Sequence, residues 1–297
     1  MTLIEAVPNV SEGRRASVIQ ALTAAVGGHP DVRLLDASSD TAHNRTVLTM
    51  VGPPGALRTA LLSLFAVAIE MIDLRTQTGE HPRIGVIDVV PFTPLSRGDM
   101  PLCVDAATAL AEAVAARYDL PVYLYDAAAR IPERQRLEVV RRGEFEGLAS
   151  KMREPTWRPD FGPRQPHPSA GATAIGARTA LIAFNVNLQT ANLDVARDIA
   201  RQIRASNGGL PAVKAIGVRT ADPKIVQVST NLVDYQTTGL HSVFSAVETE
   251  ARRRDVTVLS SEIVGLAPAE ALLSTATHHL RLPNFTTNRF LDYRLLR

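Results

Sequence analysis

The stretch Arg45-Thr46-Val47-Leu48-Thr49-Met50-Val51-Gly52-Pro53-Pro54 joins a predicted strand to a predicted helix. Residues 45–51 form an apolar run rich in β-branched side chains, which favours a strand. Proline is favourable in the first turn of a helix, so the two prolines predict where the helix begins. The apolar residues that follow recur with helical spacing and predict one buried face. They are Leu57, Leu61, Leu64, Phe65, Ala68 and Ile72.

Outward from this junction, the first part of the chain reads as βαββαβ. Strands are predicted at 2–10, 32–35 and 84–90, and a helix opens at Ser11-Glu12-Gly13. The same order returns after residue 178, with strands predicted at 179–188, 213–218, 225–232 and 256–264 and helices at 193–203 and from Thr238. Two successive βαββαβ units indicate an internal duplication. The expected fold class is therefore α+β.

Further elements are predicted after each unit: a helix near 104–116 and a strand at 122–125, then a helix at 268–276. The segment 154–171 contains five prolines, which exclude a helix or a central strand. It is expected to be an ordered connector at a ligand cleft. We place one subdomain at 1–170, including the connector 154–170, and the other at 171–297.

The composition narrows the function classes. The 297 residues carry 32 basic and 30 acidic side chains, a net charge of +2, which gives no electrostatic reason to expect nucleic acid or a membrane surface as partner. Aromatic residues are only 5% of the chain, which disfavours an RNA-binding module. The single cysteine, Cys103, excludes an intrachain disulfide. Without a signal-peptide pattern or an apolar stretch near membrane-span length, the chain is expected to be cytoplasmic.

His81 is the leading candidate for acid–base chemistry. It stands in Thr78-Gly79-Glu80-His81-Pro82-Arg83-Ile84-Gly85, where Pro82 biases it towards extended backbone. An unperturbed imidazole titrates near neutrality, so His81 is expected to exchange a proton at physiological pH. The alternative is a structural histidine bonded to a backbone carbonyl. Glu80 is either a carboxylate that orients the ring or a solvated loop charge.

Other polar residues allow two interpretations each. The Asn44-Arg45 pair could bind a carboxylate through the guanidinium fork, or could be a turn residue beside a surface ion pair. Asp36 and Asp40, predicted in the preceding loop, could accept a hydrogen bond from a pterin ring or shape the turn. The seven histidines lack metal-ligand spacing, so no metal site is expected. Residues 171–178 have glycines spaced as in a phosphate loop but no lysine, which excludes nucleotide hydrolysis.

Longer motifs carry a resemblance that spans nearly the whole chain. They are Val7-Pro8-Asn9-Val10-Ser11-Glu12-Gly13, Asn44-Arg45-Thr46-Val47, Gly79-Glu80-His81-Pro82-Arg83-Ile84-Gly85 with Asp88 and Pro91-Phe92, Pro121-Val122-Tyr123-Leu124-Tyr125, Asp160-Phe161-Gly162-Pro163, Gly171-Ala172-Thr173 with Gly176-Ala177-Arg178, Ile182-Ala183-Phe184-Asn185-Val186-Asn187 and Val228-Ser229-Thr230-Asn231-Leu232. In these residues the chain resembles the glutamate formiminotransferase family, which also forms the first half of bifunctional formiminotransferase–cyclodeaminase.

The resemblance implies two tandem ferredoxin-like subdomains with mixed or antiparallel sheets, helices packed outside and a folate cleft between them, in a homodimer. It implies transfer of a formimino group from N-formimino-L-glutamate to the co-substrate tetrahydrofolate, without a metal. The matching catalytic residue is His81. The segment implied to bind folate comprises Gly162, Pro163, Arg164, Gln165, Pro166, His167, Pro168, Ser169, Ala170 and Gly171. Candidates for binding the substrate are Asp36, Asp40, Asn44, Arg45, Arg83 and Arg178.

Two positions depart from the family pattern. Bifunctional members carry an acidic residue where this chain has Ser38, and tryptophan where it has Ala170. These differences bear on substrate choice. Formyl transfer from 5-formyltetrahydrofolate to glutamate, or folate binding without catalysis, therefore remain alternatives to formimino transfer.

Overall fold

The computed structural model describes residues 2–79 and 81–291, apart from the side chains of Arg97 and Thr287. Glu80 lies outside these residues. The chain divides into two compact units, Met1–Arg178 and Thr179–Arg297. The first unit extends past the division predicted at 170/171, because residues just beyond it add a strand to the first sheet.

The first unit is built on a mixed sheet of seven strands. They are β1 (Ile4–Ala6), β2 (Asn9–Val10), β3 (Arg33–Asp40), β4 (Arg45–Gly52), β5 (Ile87–Pro94), β6 (Val122–Asp126) and β7 (Thr173–Ala177). Both β1 and β2 lie between β4 and β5, antiparallel to each, and β3 pairs with the other edge of β4. Strand β7 runs parallel to β5 and β6 and lies between them.

Helices cover both faces of this sheet. On one face are α1 (Ala16–Gly27), α2 (Pro54–Met71) and α3 (Met100–Tyr118), whose apolar residues share a core with Leu48, Met50 and Val90. On the other face, α4 (Leu137–Val140) and α5 (Glu144–Lys151) cover Tyr123 and Tyr125. On the second face, β4 contributes Arg45, Val47, Thr49 and Val51, which alternate with the core residues Leu48 and Met50.

Among the described helices, α2 is long and apolar enough to cross a membrane by length and composition, although Arg58 and Glu70 interrupt its apolar residues. Its buried residues nevertheless belong to the core of the first unit. They are Leu57, Ala60, Leu61, Leu64, Phe65 and Ala68. Five of these match the face predicted from the spacing. One such helix is weak grounds for a membrane location, because a core helix passes the same test.

The second unit is an antiparallel sheet of β8 (Ile182–Leu188), β9 (Val213–Arg219), β10 (Val226–Leu232) and β11 (Val258–Val264) in the order β11-β8-β10-β9. Helices α6 (Leu193–Ile203) and α7 (Leu240–Arg252) bury their apolar faces against it, and α8 (Ala269–His279) contacts α7. The α6 stripe of Ala196, Ile199, Ala200 and Ile203 follows the helical period that the sequence predicts.

The two units share the strand order of a ferredoxin-like fold. If each βαββαβ unit is numbered separately, both sheets read 4-1-3-2, with β1 and β2 together as the first strand of the first unit. The α+β class and the tandem arrangement are thus confirmed.

Some details of the sequence prediction were wrong. Asp36 and Asp40 lie within β3, because that strand continues five residues beyond the predicted 32–35 to pair with β4. Strand β5 begins at Ile87 rather than 84 and continues to Pro94. Strand β7 and the helices α4 and α5 were not predicted. The β7 sequence, Thr-Ala-Ile-Gly-Ala, has small residues and gains its stability from burial between two parallel neighbours.

Candidate active site

The loop that carries His81 is fixed by side chains from the motif around Glu12. The Glu12 carboxylate is 1% exposed, and it accepts hydrogen bonds from the amides of Arg14 and Arg15 and from Gln77 Nε2 (3.0 Å). Burial acts to raise the pKa of Glu12, but the hydrogen bonds and the charge of Arg15 outweigh it and hold the pKa below its usual value. Glu12 is therefore a buried anion that anchors the start of the loop.

Asn44 ties the same loop to the β3–β4 turn. Its Nδ2 donates to Gln77 Oε1 (2.6 Å) and to the Thr78 carbonyl (3.0 Å), and its Oδ1 accepts from the Gly13 amide (2.9 Å). Asn44 has a left-handed backbone (φ 50°), a conformation that asparagine tolerates. All of its side-chain groups are thus used within the protein, so Asn44 positions the loop.

Gly79 lets the loop pass close to this turn. A Cβ built on Gly79 would lie 2.4 Å from the His43 carbonyl oxygen, closer than any side chain can approach. The loop therefore runs directly over the turn that precedes β4. This proximity brings His81 next to Arg45, the first residue of β4.

His81 and Arg45 are in direct contact. Arg45 NH1 lies 2.6 Å from His81 Nε2. A guanidinium only donates hydrogen bonds, so Nε2 accepts and the proton of the neutral ring resides on Nδ1. Burial, Arg45, Arg141 and His43 lower the pKa of His81 to about 2, and only a hydrogen bond to the Pro82 backbone opposes them. The expectation that His81 titrates near neutrality was therefore wrong for this state of the protein.

Two acid–base pairs flank His81 and Arg45. The buried Asp88, 2% exposed, forms a short ion pair with Arg141 and also accepts from the Ile84 amide (2.9 Å). On the other side, Asp40 accepts from His43 Nδ1 (2.9 Å) and from the His43 amide (2.8 Å). The centroids of the His43 and His81 rings are 6.4 Å apart. The two nearby carboxylates are thus already engaged with partners other than Arg45.

The segment predicted to contact folate lies directly beside the His81 loop. The Val86 amide donates to the Ala170 carbonyl (3.1 Å), and the Ala172 amide donates to the Ile84 carbonyl (2.9 Å). Residues 167–171 close a tight turn through reciprocal backbone bonds between His167 and Gly171. His167 Nδ1 accepts from the Ala170 amide (3.0 Å). The two segments that the sequence singled out are therefore neighbours joined by backbone hydrogen bonds.

The ten residues of that segment differ in accessibility. Ala170 is 0% exposed and belongs to the core of the first unit, and Gly171 is buried as well. Gly162, Arg164, Gln165 and Pro168 are exposed. The remaining members are half-buried: Pro163, Pro166, His167 and Ser169. A ligand on this segment would meet the exposed and half-buried residues, whereas Ala170 and Gly171 support the backbone.

The predicted substrate-binding residues do not all lie together. Asp40, Asn44 and Arg45 share the turn beside His81, whereas Arg178 directly follows β7, where its amide donates to the Phe92 carbonyl of β5 (3.0 Å). Asp36 lies further along β3, opposite Thr49. The structure therefore groups only part of the set around the histidine.

Arg83 has partners on the side of the loop formed by α5. It pairs with Glu146 (3.0 Å) and Glu144 (3.5 Å), and donates to the Gln77 carbonyl (2.7 Å). A cleft of about 640 Å³ lies at this junction, lined in part by Gln77, Gly79 and Phe145. The guanidinium of Arg83 is thus engaged by other residues of the protein.

Sequence reasoning gave no role to Glu12, Gln77, Asp88 or Arg141. Glu12 and Asp88 stand inside the quoted motifs, which was the available signal. Arg141 carried none, because it reaches Asp88 across 53 residues of chain only through the tertiary fold. Among residues 2–79 and 81–291, no group of three or more His, Cys, Asp or Glu side chains is arranged to hold a metal ion.

Comparison with known proteins identifies the family of the chain. Residues 3–178 match the formiminotransferase domain, N-terminal subdomain, and residues 183–289 match the formiminotransferase domain. Glutamate formimidoyltransferase of Streptococcus pyogenes is 45% identical over 95% of each chain, and that of Thermoplasma acidophilum is 40% identical over 99% of this chain and 98% of its own. Formimidoyltransferase-cyclodeaminase of Rattus norvegicus is 41% identical, and this chain covers 52% of its length. The chain belongs to the formiminotransferase family.

Proposed function

We propose that this protein transfers a formimino group from N-formimino-L-glutamate to tetrahydrofolate, with His81 as the group that moves the proton. The products are 5-formiminotetrahydrofolate and L-glutamate. The observation that carries the proposal is the backbone pairing of the His81 loop with the 167–171 turn. It is supported by relatives named glutamate formimidoyltransferase that match this chain over nearly their full length.

The chemistry needs a neutral base beside a bound folate. The N5 nitrogen of tetrahydrofolate attacks the formimino carbon, and His81 Nε2 accepts the N5 proton as the bond forms. The same proton is then returned to the glutamate nitrogen as its bond to carbon breaks. His81 is neutral at physiological pH, which is the form that accepts a proton, but its low pKa makes it a weak base in the absence of ligand. Holding both substrates on one rigid frame supplies the proximity term.

The exposed part of the 162–171 segment is the proposed folate contact. Arg164 and Gln165 offer hydrogen-bond donors, and the prolines offer rigid apolar surface. Hydrogen exchange with and without 5-formyltetrahydrofolate tests this assignment. Protection of 162–169 is the expected result. Protection confined to a surface distant from this segment would reject it.

Turnover of the His81→Ala variant tests the catalytic role. Loss of a general base costs a factor of about 10² to 10⁴ in rate, so transfer should fall by that amount while folate binding and melting temperature are retained. His279→Ala, an exposed histidine of the second unit, is the matched control. Full activity of His81→Ala would refute the role. A large fall in its melting temperature would favour a structural histidine.

The donor is decided by assaying formimino-glutamate and 5-formyltetrahydrofolate side by side. Formimino transfer should be the faster reaction. Faster formyl transfer would support the alternative reaction, and folate binding without either turnover would identify a non-catalytic homologue. We also propose that the protein is a cytoplasmic homodimer. Sedimentation of the purified protein tests whether it is a dimer.

A further inference from the structure

We propose that Arg45 occupies His81 Nε2, so that His81 cannot act as a base, until a carboxylate of glutamate type pairs with the guanidinium and releases Nε2. This inference rests on the proposed function, in which His81 moves the proton. It assigns Arg45 a positioning role through the histidine, in addition to ligand binding, and makes proton transfer conditional on an acidic ligand.

The geometry of the pair carries the first step. With Arg45 NH1 at 2.6 Å, the single lone pair of the neutral His81 ring is occupied. A tetrahydrofolate N5–H cannot donate to the same lone pair while Arg45 does so. Arg45 must therefore withdraw before His81 can accept a proton.

The surroundings of Arg45 carry the second step. Arg45 is half-buried and, among the described residues, has no carboxylate within ion-pair distance. Asp88 is paired with Arg141 and Asp40 with His43. Among the described residues, the charges of Asp88 and Asp40 reach Arg45 but neither carboxylate pairs with it directly, so an anion that pairs with this partly buried cation would stabilise it further. A carboxylate fits best because the guanidinium fork offers it two parallel donors.

The charges that face His81 determine how its pKa changes when Arg45 withdraws. They are Arg45 at the start of β4, His43 in the preceding turn and Arg141 between α4 and α5, while Asp88 in β5 and Asp40 act on Arg45. Neutralising Arg45 with a carboxylate removes the closest positive charge from the ring. The pKa of His81 then rises from about 2, which makes the ring a stronger base, although burial, the largest cause of the low pKa, still holds it below its ordinary value.

The proton balance is simple. After release, Nε2 takes the proton from tetrahydrofolate N5 as the new carbon–nitrogen bond forms, while Nδ1 keeps its own proton and the ring becomes cationic. The Nε2 proton then passes to the glutamate nitrogen, and the departure of glutamate returns Arg45 to His81.

Two molecules can present a glutamyl carboxylate to such a site, the amino-acid donor and the folate tail, and the glutamate of each carries an α- and a γ-carboxylate. Both present the same chemistry to Arg45. Addition of L-glutamate alone, or of 5-formyltetrahydrofolate alone, to the full-length protein separates the two sources.

The decisive measurement is an NMR titration of His81 in protein labelled with ¹³C at histidine Cε1. The His81→Gln variant identifies the resonance. In the free protein the Cε1 signal should stay constant from pH 8 down to 5, and with a saturating glutamyl ligand His81 should titrate at a higher pH than it does without ligand. A His81 that titrates normally without ligand, or whose titration is unchanged with both ligands bound, would overturn the proposal while leaving the catalytic role of His81 open to its own test.

The variant Arg45→Gln gives an independent result. It should abolish the dependence of the His81 titration on the ligand and lower kcat/KM by roughly 10- to 100-fold, the effect of losing a charged hydrogen bond. Arg45→Lys keeps the charge without the fork and should lose less. Arg75→Gln, an exposed arginine paired with Asp73, is the matched control and should behave as wild type.

Donor analogues locate the carboxylate. If the amino-acid donor supplies the carboxylate that pairs with Arg45, replacing that carboxylate by its amide should slow transfer by the wild-type protein at least 10-fold. Transfer by Arg45→Gln should hardly change. Equal discrimination in both proteins would overturn the role of Arg45. Should Arg45→Gln fail to fold, the wild-type titration and Arg45→Lys still decide.

Discussion

The two units share one strand order, yet they hold their charged side chains in different environments. In the first unit, Asp88, Asp160 and Glu12 are almost fully buried and each pairs with an arginine. In the second, the described pairs connect residues one turn apart on α6 and α7, mostly at the surface. Identical topology thus permits quite different chemistry, because a site depends on the groups that a fold carries. All of the candidate site residues lie in the first unit.

The largest difference between the units should appear when one carboxylate of each kind is neutralised. Asp88→Asn leaves Arg141 buried without a counter-charge and should lower the free energy of unfolding by roughly 3–5 kcal/mol. Asp198→Asn, which breaks the exposed pair with Arg201, should change it by less than about 0.5 kcal/mol. Urea denaturation measures both. Equal effects would mean that burial of the first pair has no energetic consequence.

Packing provides the next comparison. Ala170 is buried in the core of the first unit, so Ala170→Trp should destabilise the protein by about 1–3 kcal/mol or more through overpacking. Ala191→Trp places the same side chain in an exposed bend of the second unit and should be nearly neutral. Thermal unfolding of both variants is the measurement. A stable Ala170→Trp protein would show that the 167–171 turn can reopen to accept a tryptophan.

Acid should distinguish a histidine of the first unit from one of the second. The pKa of His81 is about 2 when folded and about 6.5 when unfolded, so in this interval the unfolded state binds more protons. The contribution of His81 to stability is therefore complete above pH 6.5 and is lost as the pH falls. Below about pH 6, wild type should lose up to about 1.4 kcal/mol per pH unit relative to His81→Gln.

The matched variant for this experiment is His279→Gln, which removes an exposed imidazole from the second unit. Its stability should follow wild type between pH 7 and 4.5. Parallel curves for wild type and His81→Gln would contradict a depressed pKa at His81.

The smallest effect is expected at Ser38, which is exposed on β3 opposite Val47. Ser38→Asp should leave stability within about 0.5 kcal/mol of wild type. We expect it to change KM or the ratio of formimino to formyl transfer rather than the proton-transfer step, because Ser38 does not touch His81. If the added carboxylate creates turnover where wild type has none, the native protein is better described as a folate binder.

The sequence predicted those features that depend on local pattern. Hydrophobic spacing gave α2 and α6, and the repeated order gave the tandem 4-1-3-2 sheets. It did not predict β7, whose small residues have weak strand preference and are stabilised by two parallel neighbours. It also missed α4 and α5, which are too short to show a helical period.

For the site, sequence singled out His81 and Arg45 but not their contact. The contact depends on Gly79 passing over the turn at His43 and on the hydrogen bonds of Asn44 and Gln77, which join parts of the chain more than 30 residues apart. The pKa of a side chain reflects burial and neighbouring charges, and Arg141 approaches only in the folded protein. A neutral-range histidine was therefore the natural but incorrect expectation.

The close approach of Gly85 and Gly171 has a consequence for anyone who recombines this protein with its relatives. A Cβ on Gly85 would lie 1.8 Å from the Ala172 carbonyl oxygen, and one on Gly171 would lie 2.1 Å from the Ile84 carbonyl oxygen. The two backbone segments are packed together as one unit, although Gly85 and Gly171 lie 86 positions apart in the sequence. A chimera that exchanges 77–88 without 166–173 combines two backbone segments from different proteins that are not matched for this close packing. Crossover points outside both segments, which move them as a pair, are the ones that should yield working hybrids.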